Sequence, residues 1–201
     1  MYSCKDIMEA ILRLFIFDVG GVVAENTSVV PSISGFLGIS KEEFVEIAEM
    51  DNLLALQTGR ITVEEFVYVF SRKLGRPVPG NIWDMFFKPT PMEETVRIIE
   101  RLRRKYRVVA GTNTIESHYE IHKSRGDYEL FDRVYASHLI GYAKPDKAFY
   151  SHILREENCL AEEAFFTDDT RKNVKAAAEL GIVSFHFTDS TALEKRLREY
   201  L

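Results

Sequence analysis

Polar residues that could carry out chemistry follow successive predicted strands, each at or soon after the point where an apolar run ends. In chain order they are Asp18, Thr112, Asn113, Lys144, Asp168 and Asp169. Ligands bind outside the carboxyl ends of the strands in an open α/β sheet, so we expect these side chains to meet at one edge. Neighbouring carboxylates repel one another unless a cation lies among them. Hard oxygen ligands of this kind indicate Mg²⁺, which takes few carboxylates and keeps several waters.

Each of these residues, taken alone, has a purely structural explanation. A carboxylate or hydroxyl at the end of a strand can start a turn or cap the next helix, and an isolated lysine usually lies on the surface. Their joint placement after successive strands is what favours a site.

Short apolar strands that alternate with amphipathic helices must position these residues. Strands are predicted at 11–17, 107–111, 133–136, 164–167 and 182–187, and helices at 92–105, 146–157, 170–180 and 190–201. The strand candidates are rich in apolar and in β-branched or aromatic residues, as strands buried on both faces are. The alternation predicts a parallel sheet with helices on both faces.

The segment between the first two predicted strands has a helical pattern only. "SKEE" at 40–43 and "TVEE" at 62–65 read as capping boxes at the starts of two helices. We therefore predict an α/β core of residues 1–24 and 91–201, interrupted by a small helical cap of residues 25–90. Residues 1–8 are expected to be a loose leader before the first strand.

The composition is that of an ordinary globular protein of 201 residues, with 46% hydrophobic residues and a formal net charge of −5. The negative charge and the absence of a basic stripe argue against a nucleic-acid partner. No apolar run approaches the ~20 residues of a membrane span. Cys4 and Cys159 show no metal or redox spacing, so we expect a reducing, cytoplasmic location. The oligomeric state is left open.

Four segments of the chain resemble the four motifs of the haloacid dehalogenase superfamily of phosphohydrolases. In order they are "FDVGGVV", "VVAGTNT", "GYAKPD" and "FFTDDTRKNVKAAAELGI". Three segments, "FDVGGVV", "GTNTIESH" and "GYAKPD", are similar to the branch that includes the bacterial glucose-1-phosphatase-like proteins. The resemblance covers nearly the whole chain, and it implies a Rossmann-like parallel-sheet core with a helical cap of the C1 type inserted after the first strand.

The resemblance implies a nucleophile and a metal site. Asp18 would attack phosphorus and form an aspartyl-phosphate. Mg²⁺ would be held by Asp18, the carbonyl oxygen of Gly20 and Asp169, with Asp168 assisting through water.

The resemblance also implies how the phosphoryl group would be bound. The Thr112 hydroxyl and the backbone N–H of Asn113 would hold phosphoryl oxygens. Lys144 would neutralise charge on the phosphoryl group and on Asp18. Fixed cations and N–H donors are what phosphoryl transfer needs, because its catalysis is mostly positioning and charge stabilisation. The expected substrate is a small phosphorylated metabolite.

The chain departs from the family pattern at Gly20. Most phosphatases of this superfamily carry a second aspartate there, which protonates the leaving oxygen. General acid–base catalysis is typically worth ~10²–10⁴ in rate, so the loss requires an explanation. One hypothesis is a phosphatase whose substrate has an easier leaving group, such as a sugar 1-phosphate. His118 could then stand in as the acid or base, although a packed histidine is at least as common.

Two other hypotheses stay open. A hydrolytic 2-haloacid dehalogenase of this superfamily usually has an aromatic residue at the position of Gly20 and does not need Mg²⁺. A non-catalytic binding domain could retain the fold after losing the acid, but it would have little need for a nucleophile such as Asp18.

The loop "LQTGRIT" between two cap helices is expected to face the active site. There Gln57 could bind a hydroxyl and Arg60 a polar or anionic group of the substrate, although Arg60 could equally be solvated. Trp83 could line a pocket wall, but cap packing is its commoner fate.

Overall fold

The computed structural model describes residues 12–201, and its centre is a five-stranded parallel sheet of order β5-β4-β1-β6-β7. These strands are β1 (Leu14–Phe17), β4 (Arg107–Thr112), β5 (Arg133–Ala136), β6 (Ala164–Asp168) and β7 (Val183–His186). Leu14 pairs with Arg107 on one side and Ala164 on the other. The strand that carries Asp18 at its end therefore lies in the middle of the sheet.

Helices cover the sheet and fill the segment after β1. Two short strands, β2 (Ala24–Glu25) and β3 (Thr90–Pro91), pair antiparallel at the two ends of that segment. Between them lie α1 (Val30–Leu37), α2 (Lys41–Ala48), α3 (Met50–Gln57), α4 (Val63–Leu74) and α5 (Ile82–Phe86). The remaining helices are α6 (Glu93–Arg103), α7 (Glu116–Ser124), α8 (Ser137–Ile140), α9 (Lys147–Glu156), α10 (Arg171–Ala178) and α11 (Ser190–Arg196).

The buried side chains form clusters on both faces of the sheet and a further cluster among the inserted helices. Along β1, Phe15 and Phe17 pack on one face, whereas Leu14 and Ile16 pack on the other. Both faces of β1 are thus apolar, as is typical of a central strand in a parallel sheet. The helices between β2 and β3 bury their own aromatic cluster, built around Phe44, Phe66, Phe70 and Trp83.

The α/β class and the parallel sheet flanked by helices are confirmed. The Thr62–Glu65 capping box forms both of its hydrogen bonds. Ser40 accepts from the Glu43 N–H, but among the described residues the Glu43 side chain does not bond back. The expected leader at 1–8 and the predicted strand start at 11 fall outside the described residues. Across residues 12–201, no helix is long and apolar enough to span a membrane.

Candidate active site

Asp18 lies where β1 ends, and its carboxylate is held by a backbone N–H and by the Lys144 ammonium. Its N–H donates to the Thr167 carbonyl at 3.0 Å, which continues the pairing of β1 with β6. Its Oδ1 accepts from the Val19 N–H at 2.7 Å and lies 2.8 Å from Lys144 Nζ. The residue is 8% exposed, so one face of the carboxylate reaches the cleft above the sheet.

Lys144 joins this carboxylate to that of Asp168, with Nζ 2.7 Å from Asp168 Oδ2. Its backbone is fixed by Asn113, whose side-chain amide donates to the Lys144 carbonyl and accepts from the Lys144 N–H, each at 2.8 Å. An ammonium buried between two carboxylates is well satisfied. The Asn113 side chain thus positions Lys144, a contact that the sequence analysis did not predict.

Asp168 is fully buried and does not line the cleft. Besides the bond from Lys144, its carboxylate accepts from the Thr170 N–H at 2.7 Å and from Asn173 Nδ2 at 3.0 and 3.1 Å. Asn173 was missed at the sequence level. Its place in the first turn of α10, five residues after Asp168, is the signal that points to it, because helical side chains lean toward the N-terminus.

Burial and ion pairing set the charges of this cluster. Burial raises the pKa of the Asp18 carboxyl to about 7, although the Lys144 ammonium favours its charged form. Burial alone would lower the pKa of Lys144, but the two carboxylates outweigh it and raise that pKa. The Asp168 pKa is lowered, because Lys144 and the N–H donors outweigh the effect of burial. A bound divalent cation would lower the pKa of a neighbouring carboxyl. Asp18 has the raised pKa, so the cation would change its charge the most.

The residues present fit a hard divalent cation. Asp18, Asp168 and Asp169 each offer one carboxylate oxygen, and these oxygens lie within 4.8 Å of one another. Asp169 is exposed, and its Oδ1 accepts only a 3.2 Å bond from the Thr170 hydroxyl among the described residues. Gly21 lies against it with φ +77°, and a Cβ there would collide with Asp169 Oδ2. Only glycine leaves this space free.

A cleft of about 1000 Å³ opens above these residues. Asp18, Gly20, Thr112, Asn113, Lys144 and Asp169 all line it, as does Gln57 from the end of α3. Within residues 12–201, the Thr112 hydroxyl makes no hydrogen bond and the Asp169 carboxylate accepts only from the Thr170 hydroxyl, so both can bind a ligand in the cleft. Lys172, at the start of α10, adds a second cation that the sequence analysis did not single out.

Gly20 faces Thr27 across the cleft floor. A Cβ on residue 20 would lie 2.8 Å from Thr27 Oγ1, so the threonine hydroxyl stands close to where the side chain of an acid at this position would project. Thr27 lines the cleft, and its hydroxyl has no hydrogen-bond partner among the described residues. No sequence pattern connects residues 20 and 27, and this neighbour was missed for that reason.

His118 also lines the cleft but is engaged in packing. Its ring stacks on Phe87 with centroids 3.7 Å apart, and its Nε2 donates to the Trp83 carbonyl at 3.3 Å. Burial lowers its pKa to about 4. A histidine that is neutral at pH 7 is a poor proton donor. Its surroundings therefore favour the packing explanation over the acid–base role suggested by the sequence.

The two predicted cap residues differ in their placement. Gln57 lines the cleft, but Arg60 does not. Arg60 is exposed, and its Nε donates to the Thr58 hydroxyl at 3.0 Å. Trp83 is buried, lines the cleft and also belongs to the aromatic cluster of the inserted helices.

Comparison with known proteins places this geometry in a family. The family model of haloacid dehalogenase-like hydrolases matches residues 12–181. The sesquiterpene phosphatase astK of Aspergillus oryzae is 27% identical over 191 residues, which cover 92% of this chain and 94% of that protein.

Solved structures show the same fold. A haloacid dehalogenase-like hydrolase from Porphyromonas gingivalis is 25% identical and superposes with a TM-score of 0.78 over 94% of this chain and 98% of that one. A family enzyme from Bacteroides thetaiotaomicron, solved with magnesium and inorganic phosphate, has a TM-score of 0.74 at 23% identity, over 90% of this chain and 98% of that one. The resemblance found in the sequence is thus confirmed: the chain belongs to the haloacid dehalogenase-like hydrolase family.

Proposed function

We propose that this protein is a Mg²⁺-dependent phosphatase that hydrolyses a small phosphate monoester through an aspartyl-phosphate on Asp18. The observation that carries the proposal is the Asp18 carboxylate at the cleft floor, 2.8 Å from a buried ammonium and beside two further carboxylates. A phosphatase among the full-length relatives supports it.

In this proposal Asp18 is the nucleophile. One carboxylate oxygen bonds to phosphorus while the bond from phosphorus to the alcohol oxygen breaks, and water later cleaves the acyl-phosphate to regenerate Asp18 and release phosphate. Lys144 neutralises charge on the nucleophile and the phosphoryl group. The Thr112 hydroxyl and the Asn113 N–H donate to phosphoryl oxygens. Because both donors are already in place, they stabilise the negative charge of the transition state without moving.

The metal would be held by Asp18, Asp169 and the Gly20 carbonyl oxygen. Asp168 would contact the metal through a water molecule and would position Lys144 through their ion pair. Bound Mg²⁺ supplies positive charge toward the phosphoryl oxygens. The buried Asp168, with three other donors on its carboxylate, suits a positioning role better than direct ligation.

Gly20 offers no proton to the leaving oxygen, so the proposed enzyme favours esters whose alcohol leaves easily. A sugar 1-phosphate, suggested by the closer family resemblance, is one such ester. The cluster of three aspartates supports a metal-dependent phosphatase over a dehalogenase.

The test is phosphate release from p-nitrophenyl phosphate, sugar 1-phosphates and sugar 6-phosphates, with Mg²⁺ and with a chelator. We expect release that needs Mg²⁺ and falls to background in Asp18→Asn. Asp189→Asn is the matched control, because Asp189 caps α11 away from the cleft and asparagine caps helices equally well.

Other outcomes would identify the alternatives. Chloride release from a 2-haloacid without added metal would establish the dehalogenase. A folded protein that released neither product, yet bound phosphate with Mg²⁺, would point to a non-catalytic binding domain.

A further inference from the structure

The cleft wall that faces the sheet edge is built from apolar side chains. It comes from the helices between β2 and β3, and we call it the apolar wall: Val30, Met50, Leu53, Leu54, Trp83 and Phe87. Gln57 is the single polar residue that the described part of the chain between residues 30 and 87 contributes to the cleft lining. The phosphate end and the far end of the cleft thus differ in chemistry.

Part of the apolar wall is open to solvent. Met50 is 65% exposed and Leu54 is 43% exposed, and both belong to α3. Single exposed apolar residues are common on proteins, but here they share one concave surface with buried Trp83 and Phe87. A ligand that covered Met50 and Leu54 would remove apolar area from water at both surfaces, which is favourable.

The same wall offers little to a sugar. Each sugar hydroxyl that leaves water needs a hydrogen-bond partner, because an unsatisfied buried hydroxyl is costly. Of the other polar side chains of the cleft, His118 and His122 come from α7 and are already bonded to the Trp83 carbonyl and the Asp127 carboxylate. The rest lie at the strand ends, in the loops that follow them, in the first turn of α10 or on residues 25–28, and Thr27 places that last stretch next to Gly20. Asn26 is already bonded to the Thr90 hydroxyl at 3.3 Å. The polar groups are therefore concentrated around the phosphate, and not around the group that it carries.

We infer that the alcohol part of the substrate is a hydrocarbon-like chain or ring system, so that among esters of comparable leaving group the protein prefers an apolar phosphate monoester to a sugar phosphate. The phosphate would lie on the floor at Asp18, and the hydrocarbon would cover Met50 and Leu54. This inference rests on the proposed phosphatase function and names the class of its substrate.

The test is a homologous series of ethyl, butyl, hexyl and octyl phosphate, each below its micelle concentration, with Mg²⁺. The leaving group stays a primary alcohol, so only contact with the wall changes. We expect kcat/KM to rise by about two- to fourfold per added methylene, the upper value corresponding to full burial of each group. Glucose 6-phosphate, whose leaving group is also a primary alcohol, is run beside them and is expected to fall below hexyl phosphate.

Variants of the wall locate the effect. Leu54→Asn and Met50→Gln keep side-chain size but replace apolar atoms with amides, and we expect each to lower the octyl-to-ethyl ratio of kcat/KM by at least about fourfold. Leu160→Asn is the matched control, since Leu160 is 60% exposed and lies outside the cleft. The ratio is measured within one preparation, so a smaller folded fraction does not affect it.

The outcomes separate this inference from the proposed function. Asp18-dependent turnover with a flat chain-length series, or with glucose 6-phosphate preferred to hexyl phosphate, overturns the apolar substrate and leaves the phosphatase standing. A rising series that Leu54→Asn leaves unchanged also overturns it, because the wall would not be the surface responsible. No Asp18-dependent turnover of any ester refutes the phosphatase and the apolar substrate together.

Discussion

Gly21 and Gly126 share one backbone conformation, φ +77°, but differ in what a side chain would meet. A Cβ on residue 21 collides with the Asp169 carboxylate, whereas the nearest atom to a Cβ on residue 126 is 3.5 Å away. Both substitutions incur the strain of a left-handed backbone, about 1 kcal/mol. Only the first displaces a carboxylate from the proposed metal site.

We therefore expect Gly21→Ala to weaken Mg²⁺ binding by at least about tenfold, the lower end for lost support of a metal ligand. Mg²⁺ titration of phosphatase activity and of thermal stability measures it. Gly126→Ala should match the wild type in Mg²⁺ affinity. Equal affinities in all three proteins would contradict the placement of the metal beside Asp169.

Thr27 determines what can be gained by restoring an acid at residue 20. In Gly20→Asp the new side chain meets the Thr27 hydroxyl, 2.8 Å from its Cβ, and we expect little gain. In Gly20→Asp with Thr27→Ala the carboxyl has room to reach the leaving oxygen. The ratio of kcat/KM for ethyl phosphate to that for p-nitrophenyl phosphate should then rise by at least about tenfold, within the ~10²–10⁴ of general acid catalysis.

The single Thr27→Ala variant is the control for this pair. It should leave the ratio near the wild-type value, since an alanine supplies no proton. A ratio as high in Gly20→Asp alone as in the double variant would show that Thr27 does not obstruct the position.

The strand-end residues could be predicted from the sequence, but their supporting contacts could not. Asp18, Lys144 and Asp169 each follow a readable apolar strand, so the rule for open sheets brings them to one edge. Thr27 approaches Gly20 through an irregular turn, and Arg60 turns to Thr58 rather than to the cleft. Neither contact has a periodic signature in the sequence.

At the scale of elements, α7 meets α5 through His118, which lies between Phe87 and the Trp83 carbonyl. Its pKa of about 4 lies below the ordinary value of 6.5. Between these two pH values the His118 ring is neutral in the folded protein but protonated in the unfolded chain. This contribution to stability is complete above pH 6.5 and is lost as the pH falls toward 4.

We expect the free energy of unfolding to fall between pH 6.5 and 4 by about 3 kcal/mol more in the wild type than in His118→Gln, at about 1.4 kcal/mol per pH unit. The glutamine amide can still donate to the Trp83 carbonyl. Urea unfolding at several pH values measures the difference. Parallel pH profiles for the two proteins would show that His118 is not held neutral by its burial.

The strands themselves were predictable because their residues are mostly apolar, and those of the central strands β1 and β6 are buried throughout. The predicted ranges 133–136 and 164–167 agree with β5 and β6 within one residue. The short strands β2 and β3 were not predicted, since two residues carry no period and Pro91 weakens any strand pattern. In the helical segment the capping boxes marked α2 and α4, whereas α1 has no side-chain cap to reveal its start.

At the scale of the whole molecule, Lys144 connects the loop after α8 to the ends of β1 and β6. Lys144→Met leaves two carboxylates facing each other without their cation, and we expect it to lower the free energy of unfolding by about 3–5 kcal/mol in the absence of Mg²⁺. Urea denaturation measures the loss.

Lys147→Met provides the matched control. The Lys147–Glu179 pair is also 2.8 Å long, but both side chains are about half exposed. Exposed pairs contribute about 0–1 kcal/mol, so the control should change little. Similar losses in the two variants would mean that the central ion pair does not stabilise the fold.

The antiparallel pair of β2 and β3 joins the inserted helices to the α/β core. Ala24 pairs with Pro91, and the Met92 N–H donates to the Val23 carbonyl at 2.8 Å. The chain therefore leaves the core and returns to it at two neighbouring stretches, a span that any insertion with closely spaced ends can bridge. The inserted helices also contact the core through the stack of Phe87 on His118, so we expect Asp18 and Asp169 to keep their places when the insertion changes length away from that contact. New specificity can thus arise in this architecture without any change to the machinery beneath it.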